Sequence, residues 1–135
     1  MTELNNGTKR PFRRRGWSDK FRDAIRGTYL GIQGQTSFYV HFSVALVVLC
    51  AAWLLRISLL EWSVVILCIT FVLVAEMFNS SLEALAKAID TKPNSEIGKA
   101  LDISSAAVLL ASMAAAILGS ALFIHRLSMV FCGDS

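Results

Sequence analysis

The sequence predicts an all-α membrane protein in which an N-terminal amphipathic surface helix precedes three transmembrane helices, with assembly into an oligomeric bundle. Three observations carry this reading. Hydrophobic residues make up 55% of the 135-residue chain and charged residues only 17%, well to the membrane side of an ordinary soluble domain. Three apolar runs each approach the roughly 20 residues that a spanning helix needs, and none has a polar stripe over its middle turns. Eight of the thirteen Lys and Arg fall between Lys9 and Arg26, whereas the chain beyond Arg26 has five basic residues against seven acidic ones. This composition excludes intrinsic disorder and linker-like or collagen-like repeats.

Residues 1–16 are expected to be a mobile basic segment. Its KRPFRRRG stretch stands directly before a membrane-surface helix, so it is read as an electrostatic anchor to anionic headgroups rather than as a nucleic-acid patch. In Trp17–Gln33 the residues Trp17, Phe21, Ala24, Ile25, Thr28, Tyr29 and Ile32 recur at steps of three and four, which places them on one helical face. Asp19, Lys20, Arg22, Asp23 and Arg26 occupy the other. Such a helix lies in the bilayer interface. Gly31-Ile32-Gln33-Gly34 lacks the Lys and Ser/Thr of a phosphate loop and is read as the bend into the first span. Gly27 has no evident role.

The first span is Phe38–Leu55, the second begins at Leu59, and the third is Ile103–Ile124. The first apolar run starts too late in the chain for a cleaved secretory signal. Lys and Arg collect on the cytoplasmic side of membranes. With the N-terminus cytoplasmic, eleven lie inside (the eight N-terminal ones with Lys87, Lys92 and Lys99) against Arg56 and Arg126 outside. The expected location is the inner, cytoplasmic membrane. TKPNS (91–95) breaks the helix on the inner side, where Asn94 or Ser95 caps the next one. Together, residues 17–125 form the membrane domain and 126–135 a short C-terminal tail. Ala107, Ala111, Ala115 and Gly119 repeat at i,i+4 on the third span, a pattern that allows close helix approach. Three helices alone enclose little volume, so a homo-oligomer is expected. Cys50 and Cys68 lie inside apolar runs and act as small hydrophobes.

Polar residues at membrane depth are the informative ones. Glu61, beside Trp62, and Arg56 are explained by the outer interface. Glu76 is harder to explain away, because it follows fourteen uncharged residues and opens a stripe with Asn79 and Glu83 at i, i+3 and i+7. Those positions share one helix face. Two carboxylates with an amide between them, at the inner boundary, suit a divalent cation such as Mg²⁺ and a proton-accepting base. The plainer alternative is a polar helix end in which Glu83 pairs with Lys87.

The stretches AEMFNSSLEALAKAID (Ala75–Asp90) and IGKALDISSAAVLLA (Ile97–Ala111) resemble the small bacterial lipid kinases that phosphorylate diacylglycerol or undecaprenol. The family core, a Glu-x-x-Asn-x-x-x-Glu helix followed by an Asp that opens the last span, is matched by Glu76, Asn79, Glu83 and Asp102. The resemblance covers residues 17–125. It implies a homotrimer with its active sites at the cytoplasmic interface, and ATP- and Mg²⁺-dependent phosphorylation of a membrane lipid alcohol. Diacylglycerol, giving phosphatidic acid, is favoured over undecaprenol. By resemblance Glu76 is the general base and touches the lipid, while Glu83 holds Mg²⁺ with the ATP phosphates. Asn79 and Asp102 bind nucleotide, and Ser105 lies near the lipid.

Three positions depart from the family pattern. Gln35 stands where a second metal-binding Glu is usual. Leu101 replaces a Lys before Asp102, with Lys99 three residues ahead as a substitute that would contact ATP. Lys87 replaces an Asp, with Asp90 almost a turn later. These departures leave open an inactive membrane scaffold of the same fold. A small transporter is the other rival, but its site should lie near the bilayer middle.

Overall fold

The computed structural model describes residues 16–33, 35–89 and 94–132. Residues 1–15 of the expected mobile segment, Gly34 of the expected bend, Asp90 and the TKP part of the helix break lie outside these. Four helices follow in order: α1 (Trp17–Ile32), α2 (Thr36–Leu54), α3 (Leu59–Ile89) and α4 (Ser95–Cys132). Among the described residues there is no strand. α2, α3 and α4 are each long and apolar enough to cross a membrane. The large apolar side chains Leu46, Trp53, Leu67, Leu110 and Ile117 point outwards. That arrangement is stable where the surrounding solvent is itself apolar.

The second and third spans are longer than their apolar runs. α3 has 31 residues, about 46 Å at 1.5 Å per residue against a hydrocarbon core of about 30 Å. It therefore carries the polar stripe from Glu76 to Glu83 across and beyond one boundary without a break. α4 has 38 residues and continues to Cys132, so most of the expected 126–135 tail is helix. No proline interrupts Ser95–Cys132, and nothing else in that stretch stops a helix that has already started.

α3 is the centre of the fold, packing most extensively on α4 and then on α2 and α1. The inward positions of α4 are Ser104, Val108, Ala111, Ala115, Gly119, Leu122 and Arg126, spaced three or four apart as a helix-packing seam requires. Ala111, Ala115 and Gly119 of the small-residue stripe lie on this seam. Ala107 is exposed.

The end of the bundle away from the polar stripe is closed by Ala52, Ile57 and Val65, with Trp62, Leu122 and Phe123 packed against them. Here Ser58 and Glu61 form a capping box: the Ser58 N–H donates to Glu61 Oε2 at 2.6 Å and the Glu61 N–H to Ser58 Oγ at 3.4 Å. Together they satisfy two of the donors that a helix start leaves unpaired. Arg126 reaches back to the end of α2, donating to the carbonyls of Leu55 at 3.3 Å and Arg56 at 2.7 Å. Between this end and the polar end lies a largely apolar cavity of about 480 Å³, lined by side chains of α2, α3 and α4 that include His41, Val72 and Ser112.

α1 keeps its apolar face exposed, with Trp17 at 85%, as a helix lying on a membrane surface requires. It meets α3 at Gly31, where a Cβ would fall 2.9 Å from Met77 Sδ and Cε. The glycine, still inside α1, thus serves close approach, and the turn towards the first span begins after it, at Gln33. At Gly27 a Cβ would meet nothing within 4 Å, and the structure gives no reason for it. Asn94 is the cap of α4, its Oδ1 accepting from the N–H of Glu96 at 3.0 Å and of Ile97 at 3.4 Å.

Candidate active site

The polar stripe of α3 is buried where it faces its neighbours. Glu76 is 2% exposed and Asn79 8%, although both stand on a helix whose other faces are apolar. The hydrophobic pattern dictates this, since Val65, Val72, Glu76, Asn79 and Ser80 fall on the same inward side. A polar group held there needs partners, because an unpaired one is costly in an apolar setting.

For Asn79 and Glu83 those partners come from three helices. Glu83 Oε1 accepts from Asn79 Nδ2 at 3.1 Å, and Glu83 Oε2 accepts from Gln35 Nε2, at the start of α2, also at 3.1 Å. Asn79 Oδ1 in turn accepts from Ser104 Oγ at 2.6 Å and, more weakly, from Ser105 Oγ at 3.4 Å, whose single proton is shared with the nearer Leu101 carbonyl at 3.0 Å; both serines are on α4. The chemistry orients the amide. A carboxylate only accepts, so Asn79 must present its NH₂ to Glu83, and its oxygen is then left for the hydroxyls. Glu83 is therefore occupied by two amides rather than by Lys87, against the plainer sequence alternative. Each carboxylate oxygen retains acceptor capacity, because an ionised carboxylate offers about four lone-pair sites.

Glu76 stands apart from this chain of bonds. None of the described residues donates a hydrogen bond to its carboxylate. It lies on α3 two turns before Glu83, about 10 Å along the axis at 1.5 Å per residue.

The α4 candidates divide. Asp102 is exposed two residues ahead of Ser104, towards the same end of the bundle. Lys99 pairs with Glu96 at 2.7 Å, both side chains well exposed, and not with Asp102. Ser105, expected near the lipid, is the outer and weaker of the two hydroxyls at Asn79. Ser104 is 8% exposed and makes the short bond. Sequence reasoning missed Ser104, although its signal was present: it starts the three-and-four seam that continues through Val108 and Ala111. Among the described residues no three His, Cys, Asp or Glu cluster tightly enough to form an all-protein metal cage.

A family model described as prokaryotic diacylglycerol kinase matches residues 22–123, from the first half of α1 to within α4, at the end of its apolar run. The chain belongs to the prokaryotic diacylglycerol kinase family. It is a lipid kinase. It is 30% identical to a diacylglycerol kinase of Synechocystis sp. over 128 residues, covering 90% of this chain and 73% of that protein. It is 26% identical to an undecaprenol kinase of Bacillus subtilis over 107 residues, covering 79% of this chain and 87% of that one. All seven candidate residues of this kinase (Gln35, Glu76, Asn79, Glu83, Lys99, Asp102 and Ser105) lie inside the matched segment. The structure brings Gln35, Asn79, Glu83 and Ser105 into one bonded network.

Proposed function

We propose that this kinase transfers the γ-phosphoryl group of ATP to the hydroxyl of a membrane lipid, diacylglycerol in first place, at the cytoplasmic face of an inner membrane. The observation that carries the reading is a glutamate only 2% exposed, Glu76, two turns from a second carboxylate whose bonded network spans three helices. Phosphoryl transfer asks a protein for positioning, charge neutralisation and a placed base, and little else. Glu76, at the depth where an apolar helix becomes polar, is where a lipid hydroxyl and a water-borne nucleotide meet.

In this reading the lipid oxygen forms a bond to the γ-phosphorus, the bond from that phosphorus to the β-bridging oxygen breaks, and ADP leaves. The lipid proton passes to the Glu76 carboxylate. Asn79 and Asp102 bind nucleotide, Lys99 turns from Glu96 towards the phosphates, and Ser105 borders the lipid.

The donor set fits Mg²⁺ of the kind that is shared with phosphates. Glu83 offers free lone pairs, and Gln35 offers an amide oxygen once its side chain turns over. Mg²⁺ commonly takes one or two carboxylates and fills the rest of its shell with phosphate oxygens and water. The bound ion would neutralise charge developing on the transferred phosphoryl group. A homotrimer, carried by the sequence resemblance alone, and a cytoplasmic N-terminus, supported by the skewed distribution of Lys and Arg, belong to the same proposal.

Undecaprenol is the second reading, favoured by the Bacillus subtilis relative. Transfer of labelled γ-phosphate in mixed micelles tests both, with diacylglycerol and undecaprenol compared for wild type and Glu76→Gln. Product from wild type and at least a hundredfold less from Glu76→Gln supports the base, and the faster lipid names the substrate. No product with either lipid, from a folded oligomer with ample Mg²⁺, would point instead to the inactive scaffold.

A further inference from the structure

A hydroxyl on a buried helix usually returns its proton to a carbonyl three or four residues back. Thr28, Ser43, Ser63 and Ser105 bond four residues back at 2.8–3.0 Å. Ser81 and Ser128 bond three residues back. Ser80 does neither. It is 5% exposed, and its Oγ has no hydrogen-bond partner among the described residues.

Its place on α3 makes this more than an irregularity. Ser80 is one turn after Glu76, and i,i+4 side chains share a face with Cβ atoms about 6 Å apart. Two deeply buried polar groups therefore stand on adjacent turns without a described donor or acceptor. One is a carboxylate that accepts, and the other a hydroxyl with a proton to give. Buried polar groups are paired in the great majority of cases, and this pair is complementary to a single oxygen that both donates and accepts. An alcohol is such an oxygen.

We propose that Ser80 is a substrate-binding residue for the lipid alcohol, an inference that rests on Glu76 being the base. The lipid O–H donates to the Glu76 carboxylate while the lipid oxygen accepts from Ser80 Oγ–H. This holds the O–H towards Glu76 and leaves the remaining lone pair for the γ-phosphorus. As the proton departs the lipid oxygen becomes a stronger acceptor, so the Ser80 bond tightens in the transition state, where it accelerates transfer. Ser112 is the other buried hydroxyl without a partner among the described residues, but it lines the apolar cavity and has no carboxylate beside it.

The test compares full-length wild type, Ser80→Ala, Ser80→Thr and Glu76→Gln in mixed micelles. Initial rates are measured against lipid at saturating ATP and against ATP at saturating lipid, with the Tm and oligomer size of each variant. Ser80→Ala is expected to lower kcat/KM for the lipid about tenfold, the equivalent of one neutral hydrogen bond, with KM for ATP unchanged. Ser80→Thr keeps the hydroxyl and should recover most of the loss. A hydroxyl that serves only the lipid contributes nothing to the free chain, so Ser80→Ala should keep or raise Tm. Unaltered lipid kinetics in Ser80→Ala would overturn the proposal. So would a lowered Tm, a changed oligomer size, or an equal loss for both substrates. An active Glu76→Gln removes the base whatever Ser80 does, whereas an inactive Glu76→Gln beside a fully active Ser80→Ala removes Ser80 alone.

Discussion

The Gln35 side chain, at the start of α2, donates its amide hydrogen to Glu83 Oε2 on α3 at 3.1 Å, a bond between residues 48 apart in the chain. It ties the two helices together at the polar end and puts an amide where a second carboxylate would double the local negative charge. Gln35→Glu should therefore behave oppositely with and without a divalent cation. Without one, two carboxylates about 3 Å apart repel, and Glu83 loses a donor at a cost of about 1–3 kcal/mol, read as a lower Tm. With Mg²⁺ the added charge should lower the concentration needed for half-maximal activity. An unchanged Mg²⁺ requirement, or loss of activity at every concentration, would mean that Gln35 is not at the metal.

Ser104 and Ser105 both face Asn79 Oδ1, but at 2.6 and 3.4 Å, and only Ser104 is buried. Ser104→Ala removes the main donor to an amide oxygen held among apolar helices, so it should cost about 1–2 kcal/mol. It should also raise KM for ATP, because Asn79 is then free to rotate away from Glu83. Ser105→Ala should change Tm by less than about 0.5 kcal/mol equivalent, and any kinetic effect should fall on the lipid. Chemical denaturation and two-substrate kinetics on both variants check the ranking. Equal effects would remove the distinction drawn from the two distances.

Most of the fold was legible because it is written in periodicity. Three apolar runs and a three-and-four pattern in Trp17–Gln33 specify four helices, and Asn94 was one of the two residues, with Ser95, expected to cap α4. The ends were less legible. α4 begins before Ile103 and runs past Arg126, since polar residues outside the hydrocarbon continue a helix without leaving an apolar signal. Within the site, Glu76, Asn79 and Glu83 could be read from spacing on a single helix. The bonds from Gln35 and Ser104 could not, because contacts across 48 and 25 residues depend on how helices pack, not on local pattern. The Ser58–Glu61 capping box was available in the sequence as S-x-x-E ahead of an apolar run.

Lys99 bonds to Glu96 at 2.7 Å, yet the two side chains are 67% and 76% exposed. An exposed i,i+3 pair of this kind contributes at most about 1 kcal/mol, so it is easily exchanged for a phosphate. If Lys99 serves the nucleotide, Lys99→Gln should raise KM for ATP several-fold and lower Tm by no more than a few degrees. Glu96→Gln should change Tm as little and lower KM for ATP slightly, because it releases the lysine. Opposite signs for the two variants are the expected result. Unchanged KM in both would confine Lys99 to its own helix.

Arg56 has φ at 48°, the left-handed region that costs a residue with a side chain about 1–2 kcal/mol. It sits at the tight turn from α2 into α3, where its carbonyl and that of Leu55 accept from Arg126. The strain and the clasp act at one point, because bending the chain here is what turns both carbonyls towards α4. Arg56→Gly relieves the strain and leaves the carbonyls in place, so it should raise Tm by a few degrees, offset in part by the greater freedom of the unfolded chain. Arg126→Ala should lower Tm, since both carbonyls lose a charged donor, at about 1–3 kcal/mol in total. The turn between α2 and α3 is at the far end of the bundle from Glu76 and Glu83, so kcat at low temperature should be unchanged in both. In the double variant the two effects should fail to add, because a glycine at 56 lets the turn relax once Arg126 no longer holds it. Strict additivity in thermal unfolding would show that the strained turn and the arginine clasp are independent.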